Sequence, residues 1–279
     1  MRGLSALFIA VLLVCVGCTD DDEPEPTPEG TQTSSLSTVD SISLESLGLG
    51  WPKAQGALLA KNRPPTPAGF NDEVLDRMAS LLESWAALST VHDSTWHTDD
   101  AVGRIADAMP GVIGTSLRAL AENQVSPQLS VANVFADDVT VIGTPMITTA
   151  WKVSTEKDEE GVRFVLLQLQ TRAAYEVRVK DGPSRVIGVL RVHGLNADAD
   201  ASDASDAFGV SGGWQEFGAN DCALALDDNL LPDSDTAKAL KDLGTFIKVG
   251  DGSKLVMPKL GVEEQVDEEY LKRCRDGSA

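Results

Sequence analysis

Between Val165 and Val179 the chain repeats with a period of two. The odd positions carry Val165, Leu167, Leu169, Thr171, Ala173, Tyr175, Val177 and Val179, while the even ones include Gln168, Gln170, Arg172, Glu176 and Arg178. Successive side chains of a strand point to opposite faces, so this run predicts a strand with one dry and one wetter face. Fifteen extended residues exceed the usual strand, which predicts a bend or a bulge within it.

A long strand needs partners, and its flanks supply them. Ile147 to Thr155 alternates on the N-terminal side, with Glu156 to Gly161 as the polar connection. Lys180-Asp181-Gly182-Pro183 predicts a tight turn into a strand over Val186 to Val192. Val139 to Ile142 reads as an earlier strand, and Leu129 to Phe135 fits a strand or a helix. Upstream the period lengthens to 3.6. Asn71 is a helix cap followed by Asp72 and Glu73, and Val74, Leu75, Met78, Leu81, Leu82, Trp85 and Leu88 form one apolar stripe. Thr98-Asp99-Asp100 opens a shorter helix that Pro110-Gly111 stops, and a third helix follows from Val112 to about Glu122. Helices followed by an antiparallel meander make an α+β fold, with the N-terminal helices packed on the sheet.

That order of elements, from Phe70 to Leu195, resembles the NTF2-like and VirB8-like families. The resemblance implies a strongly curved sheet and a conical cavity between sheet and helices, used for small ligands or for assembly. Residues 69–197 are read as this helix-plus-sheet body, and 198–279 as a subdomain that covers it. In the latter, Leu195 to Asp206 reads as a polar loop, Asp235 to Ile247 as a helix and Lys254 to Met257 as a short strand. Val262, Val266, Tyr270, Leu271 and Cys274 fall on one face of a last helix that ends near Gly277.

The N-terminus speaks to location. Arg2 precedes an apolar run from Leu4 to Val16, too short for a bilayer-spanning helix and suited to a secretory signal. Val16-Gly17-Cys18 resembles the lipobox of bacterial lipoproteins, with Cys15 where leucine is usual. The resemblance implies removal of residues 1–17 and a diacylglyceryl group on the Cys18 sulfur. Two acyl chains, at about 0.8 kcal/mol per buried methylene, make a stable anchor. Thr19 to Gly50 holds eight acidic residues and no Lys or Arg, rich in Pro, Ser and Thr. Residues 18–68 are therefore expected to be a flexible tether on the extracytoplasmic side of a cell membrane.

With Cys15 removed and Cys18 lipidated, Cys222 and Cys274 remain. In an oxidising compartment they are expected to form a disulfide that pins the C-terminal helical extension. Closing a loop of about 50 residues is worth about 4 kcal/mol on the chain-entropy model. A metal site is the rival reading, but no His or other Cys stands at ligand spacing.

Acidic side chains outnumber basic ones by 43 to 23, which opposes general binding to nucleic acid because phosphate attraction needs clustered cations. Gly209-Val210-Ser211-Gly212-Gly213 fits the hydrolase nucleophile pattern, yet no histidine follows it, so it reads as a glycine-rich turn. The acidic runs Asp198 to Asp206 and Asp227 to Asp235 lack the Gly and Glu of a calcium loop and read as solvated faces. Neither a metal nor a cofactor is expected, and no residue is assigned a catalytic role. Arg191 and His193 share one face of a strand and are candidates to line a cavity and bind an anion or move a proton. The expected function is that of a lipid-anchored envelope protein binding a ligand or a partner protein without catalysis. The alternative is an envelope enzyme with a cavity histidine or acid in an NTF2-like fold.

Overall fold

The structure is a computed structural model that describes residues 41–54, 63–122, 124–199, 201, 209–248, 256 and 266–277. The chain divides into two units, Met1–Thr38 and Val39–Ala279, and only the second contains described residues. The signal segment, the lipobox with Cys18, Val262 and all but Val256 of the expected strand at 254–257 lie outside them.

The alternating run is the spine of the sheet. As β3 (Arg163–Val179) it pairs antiparallel with β2 (Met146–Lys157) over twelve residues and with β4 (Ser184–Asp198) over fifteen. β1 (Val139–Val141) lies beside the far end of β3, on the same side as β2, and β5 (Gly209–Phe217) pairs with β4. The β3 register keeps step with both neighbours from end to end, so the expected bulge is absent from these ladders. Continuous pairing with β2 from Arg163 to Ala174 and with β4 from Phe164 to Arg178 leaves no extra residue within either ladder to bulge.

Helices cover one face. Asn71 caps α2 (Asp72–Thr90) by accepting the Glu73 N–H at 2.9 Å, and Asp100 caps α3 (Ala101–Ala108) through the Gly103 N–H. α4 (Gly111–Glu122) and the short α5 (Pro127–Val131) complete this layer. The α2 stripe, Leu75, Met78, Leu82 and Trp85, is buried with Val165, Leu167, Leu169 and Tyr175 of β3 in one core.

The centre of the other face is also dry, contrary to the wetter side expected from Gln168, Gln170 and Arg172: these three are 6%, 1% and 3% exposed, while Arg178 farther along the strand is exposed as expected. Two elements seal it. α7 (Thr236–Lys248) packs Ala239, Leu243 and Phe246 against Ala174, Val186, Leu190 and Phe217. Residues 41–54 form a strap, with a single turn of helix, α1 (Leu44–Leu47), that adds Ile42 and Leu44 to the same cluster. Trp51 of the strap meets the Phe246 ring edge-on at 5.3 Å, and the Arg172 guanidinium lies 4.9 Å above the Trp51 ring. The expected tether of residues 18–68 is thus shortened, because part of it packs as a layer of the fold. Gln170 takes part too: its side-chain amide donates to the Val256 carbonyl and accepts the Val256 N–H.

The glycine-rich turn expected at 209–213 is instead the edge strand β5, with Gly212 and Gly213 opposite His193 and Val192. Glycine carries no face preference and so leaves no period to read. α6 (Asp221–Asp227) follows, and α8 (Glu268–Arg275) is joined to it by the expected Cys222–Cys274 disulfide, Cα to Cα 5.3 Å. α8 buries none of its residues, so the bridge is its principal attachment. Among the described residues no helix is long and apolar enough to cross a membrane.

Candidate functional site

Arg191 and His193 stand two residues apart on β4 and face the helices, as their shared parity requires. Arg191 is 1% exposed, and its partners are the C-terminal end of α5. Nη1 donates to the Ser130 carbonyl at 3.0 Å, and Nη2 to the Leu129 and Ala132 carbonyls at 2.7 and 2.8 Å. Nε and Nη2 also donate to Asn133 Oδ1. A helix end leaves its last carbonyls without partners, and a planar guanidinium with five donors suits them. Burial pulls the guanidinium down to about 9, which keeps it protonated at neutral pH. Asn133 Nδ2 in turn donates to the Tyr175 hydroxyl, which donates to the Thr90 carbonyl, each at 2.7 Å.

His193 lies edge-on to Trp85 with ring centres 4.7 Å apart. Its Nδ1 faces the Leu169 carbonyl at 3.3 Å, which assigns the proton to Nδ1 and leaves Nε2 to accept from Ser89 Oγ at 2.8 Å. Burial, then the nearby Arg191 charge, push the imidazole down to about 3, so it is neutral. A serine donating to a histidine is the first half of a nucleophile and base pair. Here the orienting group is a peptide carbonyl, and Ser89 and His193 are both 0% exposed. The space between sheet and helices, where the family resemblance implies a cavity, holds the buried side chains of Trp85, Phe135, Tyr175, Arg191 and His193. The two residues singled out for ligand binding are buried and hydrogen-bonded to protein groups.

The acidic residues after α6 also have structural partners. Asp228, in the left-handed region at φ 53°, accepts the Gln128 N–H at 2.6 Å and the Leu129 N–H at 3.1 Å, capping the start of α5. Burial raises its carboxyl to about 6. Asp233 accepts from Lys238 Nζ at 2.6 Å, and Asp235 caps α7 through the Ala237 and Lys238 N–H groups. Among the described residues no group of three or more His, Cys, Asp or Glu is placed to hold a metal. Asp198 closes β4, and Asp200 and the 202–208 stretch lie outside the described residues.

Glu216 was not marked by any sequence pattern. It is half-buried on β5, and its Oε2 is sealed from water without a hydrogen-bond partner. Burial, then Asp221 and Asp242, raise its carboxyl to about 7. Its one sequence signal, an acid two residues after Trp214 on the same strand face, becomes legible only once β5 is known.

Concave surface lies elsewhere. Two clefts flank the turn between β1 and β2 and share Gly143 and Thr144. One, of about 360 Å³, is walled by Ala54, Val91, His92, Asp93, Trp96 and Pro145. The other, of about 490 Å³, lies under the strap and is walled by Leu44, Ile142 and Met146 with Glu45, Lys53 and Glu176. A third, of about 520 Å³, lies between α8 and the α6–α7 region and is lined by Asp221, Asp233, Lys238, Tyr270 and Arg273. The strap cleft combines an apolar wall with charges of both signs, the composition of a site for a small amphipathic molecule. His97 is outside these clefts, packed at 6.3 Å on Phe135. No protein-family model, curated protein or solved structure matches the chain.

Proposed function

We propose that this chain is an exported protein of the cell envelope, anchored by a diacylglyceryl group on Cys18, whose folded part binds a ligand or partner without catalysis. The observation that carries the reading is the Cys222–Cys274 disulfide. It uses both cysteines left after a lipobox and its leader are accounted for, and such bridges persist in oxidising compartments. The apolar run before Cys18 and the acidic stretch after it support the same placement. The element order, helices and then a meander, supports the NTF2-like or VirB8-like reading of residues 69–197.

The non-catalytic reading draws support from the way the polar residues are used. Arg191, His193, Ser89 and Tyr175 are engaged with backbone and with one another inside the core, which leaves the strap cleft as the favoured ligand site.

Fractionation of the native host tests the anchor. Mature protein should partition with membranes and carry a lipid on Cys18, and Cys18→Ala should release it or block maturation. Recovery of a soluble chain with a free thiol at Cys18 would overturn the reading. Mass analysis of small molecules and proteins that co-purify with the lipidated form identifies the ligand.

A further inference from the structure

Among the described residues one margin of the sheet has no partner strand beyond Thr149, and its backbone polarity can be assigned. β2 turns one side to β3 along its whole length. On its other side the Ile147 N–H donates to the Pro52 carbonyl and the Ala54 N–H donates to the Pro145 carbonyl, both at 2.9 Å. Main-chain groups of an antiparallel strand alternate sides, so Thr149, Trp151, Val153 and Thr155 also aim their N–H and C=O groups outward. The strap leaves this edge at Trp51, which turns onto Phe246 and Arg172. From Thr149 onward no described residue pairs with the edge, and Lys152, Thr155, Glu156 and Lys157 are exposed along it. The strand has no proline and its β3 ladder has no bulge, so two common devices that block edge pairing are missing.

We propose that a second copy of this chain docks on the edge, pairing β2 with β2 in antiparallel fashion about a two-fold axis at Ser154. Charge selects the occupant and the register. An axis at Ser154 sets Lys152 of each copy opposite Glu156 of the other, forming two ion pairs on one face of the joined sheet. It also sets Val153 opposite Thr155 and Trp151 opposite Lys157, so the outward backbone groups meet as hydrogen-bonded pairs. An axis at Val153 leaves Lys152 facing Ser154, and an axis at Lys152 opposes two like charges. The strap already shows that this edge accepts an extended segment in antiparallel register, at Lys53 and Met146. The interface is isologous, as a two-fold dimer requires, and it does not depend on the membrane anchor.

Analytical ultracentrifugation of the full-length protein tests the proposal. Wild type should show a concentration-dependent dimer. Lys152→Glu alone and Glu156→Lys alone should each weaken it roughly tenfold or more, and the double swap should restore it. Val153→Pro should abolish the dimer and leave a folded monomer, because the Val153 N–H lies outside the β3 ladder. Ser154→Cys should oxidise to a covalent dimer, since residues facing each other at the axis form a non-hydrogen-bonded pair about 4.5 Å apart at Cα. A wild-type monomer at micromolar concentrations, indifference to the single charge reversals, or failure of the double swap to rescue would each overturn it.

Discussion

Arg191 and Asp228 hold opposite ends of the same five-residue helix. Asp228 accepts the Gln128 and Leu129 N–H groups at the start of α5, and Arg191 donates to the Leu129, Ser130 and Ala132 carbonyls at its end. Each charge complements the helix dipole at its own terminus. A helix this short does not persist on its own hydrogen bonds, so the two side chains specify it from outside.

Removal of Arg191 leaves three carbonyls and the Asn133 side chain buried without their donor. Arg191→Met is expected to cost about 3–5 kcal/mol in urea unfolding, and Asp228→Ala about 1–2 kcal/mol. Because both act on α5, the double variant should lose less than the two single losses combined. Strict additivity would mean that the two ends are not coupled.

The stability of the folded chain should depend on pH in two opposed ways. An imidazole that titrates near 6.5 when unfolded and about 3 in place contributes its stability above pH 6.5 and loses it as pH falls, at about 1.4 kcal/mol per unit of displacement. Asp228 and Glu216 move the other way, from 3.8 to about 6 and from 4.5 to about 7. Their folded forms keep protons that the unfolded chain has released, so their contribution falls as pH rises through that window. Relative to wild type, His193→Asn should gain stability at pH 4–5 compared with pH 7, and Glu216→Gln should show the reverse. Thermal unfolding across pH measures both.

The C-terminal helix depends on one covalent bond. α8 buries no residue, and its attachment is the bridge to Cys222. Reduction, or Cys274→Ala, is expected to free residues 266–277 to proteolysis and to lower stability by up to about 4 kcal/mol. The amides of β3 and β4 should stay protected from hydrogen exchange under the same conditions. Retained protection across α8 after reduction would count against a disulfide-dependent attachment.

The back face of the sheet is close-packed at a single glycine. A Cβ placed on Gly188 would come within 2.7 Å of the Phe246 ring, whereas one on Gly244, two residues from Phe246 on α7, meets nothing within 4 Å. Gly188→Ala should therefore cost about 1–3 kcal/mol and loosen α7 together with the Trp51 contact. Gly244→Ala should stabilise by roughly 0.5–1 kcal/mol, as alanine does inside a helix. Equal effects of the two substitutions would contradict the packing described for this layer.

Much of the architecture is written in local pattern. The period of Val165 to Val179, the caps at Asn71 and Asp100, the stripe from Val74 to Trp85 and the pairing of Cys222 with Cys274 can all be read without coordinates. They are legible because periodicity, capping and cysteine number depend on residues near in sequence or few in kind. Four features emerge only in three dimensions. β5 is hidden by its glycines, and the strap by an acidic stretch resembling a tether. Gln170 and Arg172 read as wet until Val256 and the strap close over them. Arg191 and His193 read as open to ligand until α5 and Ser89 take up their hydrogen bonds. Polarity along a chain tells which side chains need partners. Whether water, a ligand or the protein itself supplies them depends on which distant segments reach that face, and tertiary packing decides it.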